Sequence, residues 1–433
     1  MIGGGYVGLV SGACFAAFGT EVAVVESDPS RLQALRQGRI PIYEPGLTEL
    51  VAEGVAKGHL SFGDDLRAAV TGADAVFIAV GTPTRRGDGH ADLSYVYAAA
   101  EQVAKCLSGY TVIVTKSTVP VGTGRRIASI IQHVTPGADV DVASNPEFLR
   151  EGSAIRDFMQ PDRVVIGCTS PRARSVLGQL YSPLASRPDL VLYTGIETAE
   201  LIKYAANSFL AMKVTFINEM ADLCEKVGAN VKEVAHAIGL DARIGPRFLQ
   251  PGPGFGGSCF PKDTLALVRI AQEAGAPSRL VEAVVAVNDA RKASMSARVI
   301  AACGGNVRGQ TIAILGLTFK PDTDDMRDSP SIPIVARLVE DGATVRVFDP
   351  QGMEPARPLL PNGTVFAPTS EAALDGADAL VLVTEWDMFR SIQPDALQTM
   401  MRGKVVVDLR NVFDPATMLA HGFAYHGIGV TAR

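Results

Sequence analysis

Cysteine is sparse and unpaired in this sequence. Six are scattered at positions 14, 106, 168, 224, 259 and 303, with no CxxC and no paired spacing. That argues against a disulfide framework or a zinc site, so reduced thiols in the cytoplasm are expected and no metal. No apolar run reaches the roughly 18 residues of a membrane span. The start carries no charged segment followed by a cleavage pattern, so no export signal is expected. There is no basic excess either. Lys and Arg number 40 against 46 Asp and Glu, a net charge of −6, which excludes the broad positive field of a nucleic-acid-binding protein. An anionic ligand would need local basic groups. What remains, 433 residues with 47% hydrophobic and 20% charged content, is a globular chain too long for one core.

Short apolar runs alternate with helical stretches through residue 170: "EVAVVESD" (21–28), "ADAVFIAVGTP" (73–83), "TVIVTKST" (111–118), "VDVASNPEF" (140–148) and "RVVIG" (163–167). Strands alternating with helices predict a parallel sheet covered on both faces. From about 197, "ETAELIKYAANSFLAMKVTFINEMADLCEKVG" has no Pro and no Gly before Gly228 and is apolar on more than one face, which predicts a long, largely buried helix. Strand-like runs return at "QTIAILGLTFK" (310–320), "ATVRVFDP" (343–350), "ADALVLVTEW" (377–386) and "GKVVVDLRN" (403–411). "GADAVFIAV" (72–80) and "GADALVLV" (376–383) echo each other. The echo fits two similar α/β halves around a helical middle, or simply a common turn before a buried strand.

Five stretches carry chemistry. Gly3-x-Gly5-x-x-Gly8 opens a small-residue helix, and Glu26 ends the next apolar run about 18 residues later. Such glycines let a backbone approach a pyrophosphate, which the helix N-terminus stabilises. A carboxylate at Glu26 would accept ribose hydroxyls and repel a 2′-phosphate, favouring NAD over NADP, with Arg31 in reach of the ribose. In "SNPEFLREG" (144–152), Asn145 and Pro146 read as a helix cap and first position, so Glu147 and Glu151 would share a helical face as bases or water ligands. Acids attracted by the helix dipole are the other reading. Lys203 and Asn207 are four apart on a helix that reads as buried, where they could donate to an oxyanion; a snorkelling Lys and a surface Asn are the alternative. In "GFGGSCFPKDT" (254–264), Cys259 stands between a glycine-rich loop and Pro261. A helix N-terminus and Lys262 there would favour the thiolate, and Asp263 lies four residues on. "GLTFKPDTDDMRDSP" (316–330) leaves a strand with Lys320 and Arg327, suited to phosphate or hydroxyl groups, or simply a solvated charged loop.

Taken in order, "GGGYVGLVSGAC", "GRIPIYEPGL", "VGTP", "ADLSYV", "VTKSTVPVGT", "SNPEFLREGSA", "PDRVVIG", "AELIKYAANSFLA", "AIGLDARIGPRFL", "GFGGSCFPKDT" and "GLTFKPDTDDMRDSP" resemble the UDP-glucose 6-dehydrogenase family of nucleotide-sugar dehydrogenases. The resemblance implies an α/β protein with two Rossmann-like, doubly wound parallel-sheet domains joined by a long central helix. Its expected parts are an NAD-binding domain (1–195), a helical dimerisation domain carrying the cysteine loop (196–300) and a UDP-sugar-binding domain (301–433). It also implies oxidation of a sugar C6 alcohol to a carboxylate by two NAD molecules. By resemblance, Cys259 is the nucleophile that forms a thiohemiacetal and then a thioester. Lys203 and Asp263 arrange a water that takes the alcohol proton. Glu147, Thr118 and Asp263 aid hydrolysis, and Lys203 and Asn207 stabilise the oxyanion.

The resemblance places Gly3, Gly5, Val7, Gly8, Glu26, Arg31, Thr82, Thr118, Glu151, Lys262 and Arg327 at NAD positions. UDP-sugar positions fall on Glu147, Phe148, Leu149, Arg150 and Glu151, and on Lys203 and Asn207. The loop Phe248, Leu249, Gln250, Pro251 and Gly252 follows, with Gly256 and Lys320. Arg243 matches an arginine that crosses a homodimer to the partner's substrate. GDP-mannose and UDP-N-acetylhexosamines are the alternative substrates. An NAD-binding regulator without catalysis and a two-electron hydroxyacid dehydrogenase are the alternative classes; the second needs no cysteine at the reacting carbon. Family members also carry a strand before the first glycine. Only Met1 and Ile2 stand there in this sequence, which fits a start assigned at an internal Met or a truncated chain, the preferred reading; a genuine short form would have unpaired neighbouring strands and weakened NAD binding.

Overall fold

The computed structural model describes residues 1–85, 89–184 and 189–430. The chain forms two compact units, one of Met1–Ala206 with Arg269–Ala276 and the other of Asn207–Val268 with Pro277–Arg433.

The first unit holds seven strands: β1 (Val22–Val25), β2 (Leu60–Gly63), β3 (Ala75–Ile78), β4 (Thr111–Thr115), β5 (Val140–Ser144), β6 (Val164–Gly167) and β7 (Val191–Thr194). β1 pairs with β2, and β3 to β7 follow one another in a second set. Side chains alternate between two cores. Phe77, Val112 and Val114 enter one, and Val76, Ile78 and Ile113 the other, as a strand buried on both faces requires.

Ile2 joins the two sets. It forms a parallel bridge to Val25 on one side and to Ile78 on the other. Its N–H donates to the Phe77 carbonyl at 2.8 Å and its carbonyl accepts from Ala79 at 2.8 Å; Val25 donates to Met1 at 2.8 Å and Gly3 to Val25 at 2.9 Å. The expectation of unpaired neighbours is therefore corrected at their C-terminal ends. Backbone pairing needs only one residue in extended register to stitch both flanks. The resulting order, β2-β1-Ile2-β3-β4-β5, is that of a Rossmann sheet. One departure from an all-parallel sheet is the step from β5 to β6, which meet antiparallel at Ser144 and Gly167.

The second unit carries β8 (Thr311–Leu315), β9 (Thr344–Phe348), β10 (Val365–Phe366), β11 (Ala379–Leu382), β12 (Val405–Asp408) and β13 (Ala424–Gly427). Their order is β10-β9-β8-β11-β12-β13, all parallel, the doubly wound order again. The echoed sequences lead into β3 and β11, which occupy the same place in the two sheets. Each is preceded by a glycine of positive φ, Gly72 (76°) and Gly376 (66°), ending a short helix as such glycines do.

The predicted long helix is Ile196–Val227, 32 residues. Its burial is less complete than the sequence suggests. Phe209 (58% exposed), Phe216 (46%), Leu223 (51%) and Val227 (65%) line one side. The sevenfold spacing of 209, 216 and 223 keeps them on one face. The helix is apolar on several faces, and this chain covers only some of them. No helix among the described residues is long and apolar enough to cross a membrane.

Candidate active site

The glycine loop leaves Ile2 and enters the helix Tyr6–Ala17. Its glycines do different work. Gly3 has φ 104°, and a Cβ there would lie 2.8 Å from the Ala79 carbonyl oxygen; a Cβ on Gly8 would collide with the Gly3 carbonyl. Those two are fixed by internal packing. A Cβ on Gly5 would meet nothing within 4 Å. Gly5 is the N-cap and no side chain caps the helix behind it, so the first-turn amides of Val7 and Gly8 remain for an anion. Open space over Gly5 at an uncapped helix start fits a dinucleotide pyrophosphate.

Glu26, at the end of β1, is buried. It accepts from the Gly4 N–H (3.1 Å), the Asp28 N–H (2.8 Å) and the Arg31 guanidinium (3.2 Å). Arg31 is thus tied to Glu26 rather than extended alone toward a ribose. A cavity of about 250 Å3 lies against Glu26, Pro29, Arg36 and Asp64. Thr82 and Thr118, in the loops that leave β3 and β4, are buried as well.

The stretch after β5 differs from expectation. Residues 145–150 form no helix; the helix begins at Ala154 and runs to Met159. Glu147 and Glu151 therefore do not share a helical face. The cause lies in Asn145. Its side chain is drawn into the interior, where Oδ1 accepts from Lys116 Nζ (2.9 Å) and the Tyr181 hydroxyl (2.5 Å) and Nδ2 donates to the Val165 carbonyl (2.7 Å). Satisfying these buried groups outweighs capping a helix. Glu44 does the capping instead, accepting from the N–H groups of Gly152 and Ala154 (both 2.7 Å) and from the Tyr6 hydroxyl. Tyr6 belongs to the glycine loop, so Glu44 binds that loop to the Glu151 turn.

Glu147 faces inward with Lys203. Nζ of Lys203 donates to Oε1 at 3.1 Å, and the two side chains are 3% and 7% exposed. Oε2 of Glu147 accepts from the Leu149 N–H at 2.5 Å. Phe148 packs its ring under Arg163, 3.8 Å from the guanidinium carbon, with Lys203 Nζ at 5.3 Å. Arg150 is committed to Asp157 through Nε (2.9 Å) and Nη2 (2.5 Å). Glu200, three residues before Lys203, accepts from the N–H groups of Gly122 (2.6 Å) and Gly124 (2.8 Å). It caps the helix Thr123–Val134, whose own N-cap is the bare Gly122, and so ties the loop of Thr118 to the helix of Lys203. Burial raises the Glu200 carboxyl to about 7.

In the second unit the cysteine loop is built from backbone held by side chains. Gly252 N–H donates to Asn218 (2.8 Å), Phe255 N–H to Asn288 (2.8 Å) and Ser258 N–H to Asp325 (3.1 Å); Gly257 N–H donates to the Arg327 carbonyl (2.7 Å). Gly256 has no room for a Cβ against Asp328. Cys259 then precedes the helix Phe260–Glu273, and its carbonyl accepts the Asp263 N–H at 2.9 Å. The thiol is partly exposed at the positive end of that helix, which favours an anionic sulfur. Asp263 is fully buried and accepts from Asn207 Nδ2 and Lys262 Nζ, each at 2.6 Å. The contacts seen among the expected acid–base residues are Lys203–Glu147 and Asn207–Asp263–Lys262.

Among the remaining expected residues, Phe248 stands at φ 64°. Leu249, Pro251 and Gly252 are buried while Gln250 is exposed. Lys320 lies 5.5 Å from the Phe319 ring centroid. Arg327 is held through Nε and Nη2 by Asp325 (2.8 and 2.9 Å). Arg243 projects outward, paired with Asp241.

Sequence reasoning missed Lys116, Glu44, Glu200 and Tyr181. A lysine closing the run "TVIVT" was the one visible signal, since a buried charge beside a strand end needs partners.

Residues 1–185 match the NAD-binding domain of the UDP-glucose/GDP-mannose dehydrogenase family, 197–290 its central domain and 313–415 its UDP-binding domain. A UDP-glucose 6-dehydrogenase of Rhizobium meliloti is 59% identical over 431 residues, 99% of this chain and 98% of that one. TuaD, a UDP-glucose 6-dehydrogenase of Bacillus subtilis, is 46% identical over 99% of this chain and 92% of its own. The solved structure of a UDP-glucose dehydrogenase from Pyrobaculum islandicum superimposes with a TM-score of 0.91 at 40% identity, covering 99% of this chain and 97% of that one.

Proposed function

Because this chain belongs to the UDP-glucose/GDP-mannose dehydrogenase family, we infer that it oxidises the C6 alcohol of UDP-glucose to the carboxylate, a four-electron reaction. The observation that carries the reading is Cys259 at a helix N-terminus, one turn before a buried aspartate that holds Asn207 and Lys262. A two-electron alcohol dehydrogenase has no use for a thiol there, and a regulator has no use for the set.

NAD, when bound, takes up the hydride at each of the two oxidations. The open face of Gly5 and the first-turn amides would hold its pyrophosphate, and Glu26 its ribose. The chain's residues do the rest. The paired Glu147 and Lys203 order a water that takes the alcohol proton as the aldehyde forms. The Cys259 thiolate adds to the aldehyde carbon, the C=O π pair passing to oxygen, and gives the alkoxide form of a thiohemiacetal. An aldehyde lacks a leaving group, and this bond makes the carbon a hydride donor and retains it. Loss of the second hydride leaves a thioester. Water, deprotonated with help from Glu147 and Asp263, adds to the carbonyl; the C–S bond breaks, releasing carboxylate and returning the thiolate. Asn207 and Lys203 donate to the oxyanions along the way.

Support for UDP-glucose over GDP-mannose comes from the relatives, whose printed activity is on UDP-glucose. The exposed apolar face of Ile196–Val227 supports a homodimer through that helix, with Arg243 reaching the partner's substrate. Six free cysteines suit the reducing cytoplasm. The test is NADH released per sugar across a panel of nucleotide sugars with NAD or NADP. Two per UDP-glucose with NAD is expected. One per sugar, or turnover confined to GDP-mannose, would overturn the reading.

A further inference from the structure

The loop that leads to Cys259 cannot hold itself. In Pro251-Gly252-Pro253-Gly254-Phe255-Gly256 only Phe255 is neither proline nor glycine. Prolines bring no N–H, and a glycine loses more freedom on ordering than any other residue. Yet the whole stretch is buried, so its backbone groups need partners from outside it. Two helices supply them. Asn288, on the helix Arg279–Ala302, meets both polar groups of Phe255. Its Oδ1 accepts the N–H at 2.8 Å and its Nδ2 donates to the carbonyl at 3.1 Å. One turn on, Arg291 Nε donates to the Gly252 carbonyl at 2.7 Å. Asn218, on the helix Ile196–Val227, accepts the Gly252 N–H.

Arg291 does more than fill an acceptor. Its Nη1 reaches the helix Ile196–Val227, donating to the Asn218 carbonyl (3.3 Å) and to both Asp222 oxygens (2.8 Å each). One planar guanidinium thus joins the loop, the residue that holds the same peptide through its N–H, and a carboxylate. The Arg291 side chain is 5% exposed and that of Asp222 57%. A buried cation facing a half-hydrated counter-ion regains little of its desolvation cost. Asn288 shows that a loop peptide here can be held without charge. What the ion pair adds is direction. It fixes the fork of the guanidinium, and with it the donor aimed at the Gly252 carbonyl. Gly252 is closed in elsewhere too. A Cβ on it would lie 2.8 Å from Arg410 Nη1, and Arg410 is itself tied to the carbonyls of Val383 and Phe319 at 2.9 Å each.

We propose that Arg291, anchored by Asp222, is a positioning residue that holds the Gly252 peptide in the orientation that binds the nucleotide sugar. Ordering a glycine-rich backbone before the ligand arrives removes that ordering cost from binding. The inference rests on the reading that the loop 248–252 receives the UDP-sugar.

The test is Arg291→Met and Asp222→Ala in the full chain, by titration with UDP and by steady-state kinetics. Arg291→Met should raise the Kd for UDP and the KM for UDP-glucose about tenfold, the size of one lost charged hydrogen bond. Its kcat and its KM for NAD should stay within about twofold, since Gly5 and Glu26 belong to the first unit. Asp222→Ala removes a half-exposed carboxylate, should fold like the parent, and should raise the same two quantities about threefold. The double variant should match Arg291→Met alone, because Asp222 acts only through Arg291. UDP affinity like the parent's in Arg291→Met would overturn the proposal. So would a KM for NAD or a kcat that changes as much as the KM for UDP-glucose, or two effects that multiply in the double variant. If Arg291→Met does not fold, parent-like UDP affinity in Asp222→Ala overturns it. A parent that binds no UDP would fail the reading of the loop instead, a result separable from all of these.

Discussion

The two sheets share one strand order but treat its centre differently. In the second unit the central strand β8 pairs five residues with β9 and four with β11; in the first, Ile2 alone bridges its neighbours. The acid at the end of the adjacent strand differs as well. Asp349, after β9, accepts from the N–H groups of Leu317 (2.7 Å), Thr318 (3.1 Å), Gln351 (2.9 Å) and Gly352 (2.7 Å), and from the Thr318 hydroxyl and the Trp386 indole (both 3.1 Å). Glu26, in the corresponding place after β1, takes two backbone donors and Arg31, beside a cavity and an open glycine. The same topological point is sealed by the protein's own donors in one sheet and kept for a ligand in the other. A Rossmann order does not by itself make a dinucleotide site; the local donors decide.

The largest break in that comparison should come from Asp349→Ala. It strands several buried donors at once and should cost roughly 3–5 kcal/mol or prevent folding, seen as a large drop in melting temperature. Glu26→Ala strands fewer and should cost roughly 1–2 kcal/mol, while raising KM for NAD about tenfold. Equal melting losses would show the two acids to be alike. Next, Gly8→Ala should lower the melting temperature because its Cβ has no room, by roughly 1–3 kcal/mol. Gly5→Ala should melt like the parent yet bind NAD more weakly, read by titration. The smallest effect concerns pH. Burial raises the Glu200 carboxyl from 4.5 to about 7. A raised acid favours the folded state fully below pH 4.5, and that contribution is lost as pH rises through about 7. Protection factors at Gly122 and Gly124, with the intrinsic pH dependence of exchange divided out, should therefore fall as pH rises through about 7 in the parent, and Glu200→Gln should flatten the trend.

Period and apolarity made the strands legible, and glycine spacing made the dinucleotide loop so, because both express local geometry. The turn at Cys259 was legible for the same reason, since glycines and Pro261 mark the start of a helix. What failed was the assignment of partners across the chain. Asn145-Pro146 has the local signature of a helix start, yet a lysine 29 residues earlier and a tyrosine 36 residues later claim the asparagine. The pairing of Lys203 with Glu147 was likewise not foreseen. Such pairings depend on which loops a sheet order brings together, and no window of sequence contains that. The exposed face of Ile196–Val227 misled in another way. Apolar residues announce burial without saying whether the same chain provides it.

The central claim is that Cys259 carries the sugar between the two oxidations. Steady-state NADH production by Cys259→Ser with UDP-glucose and NAD tests it most directly. The account predicts that net turnover falls at least about a thousandfold while the melting temperature stays near the parent's. Parent-like turnover in that variant would contradict it.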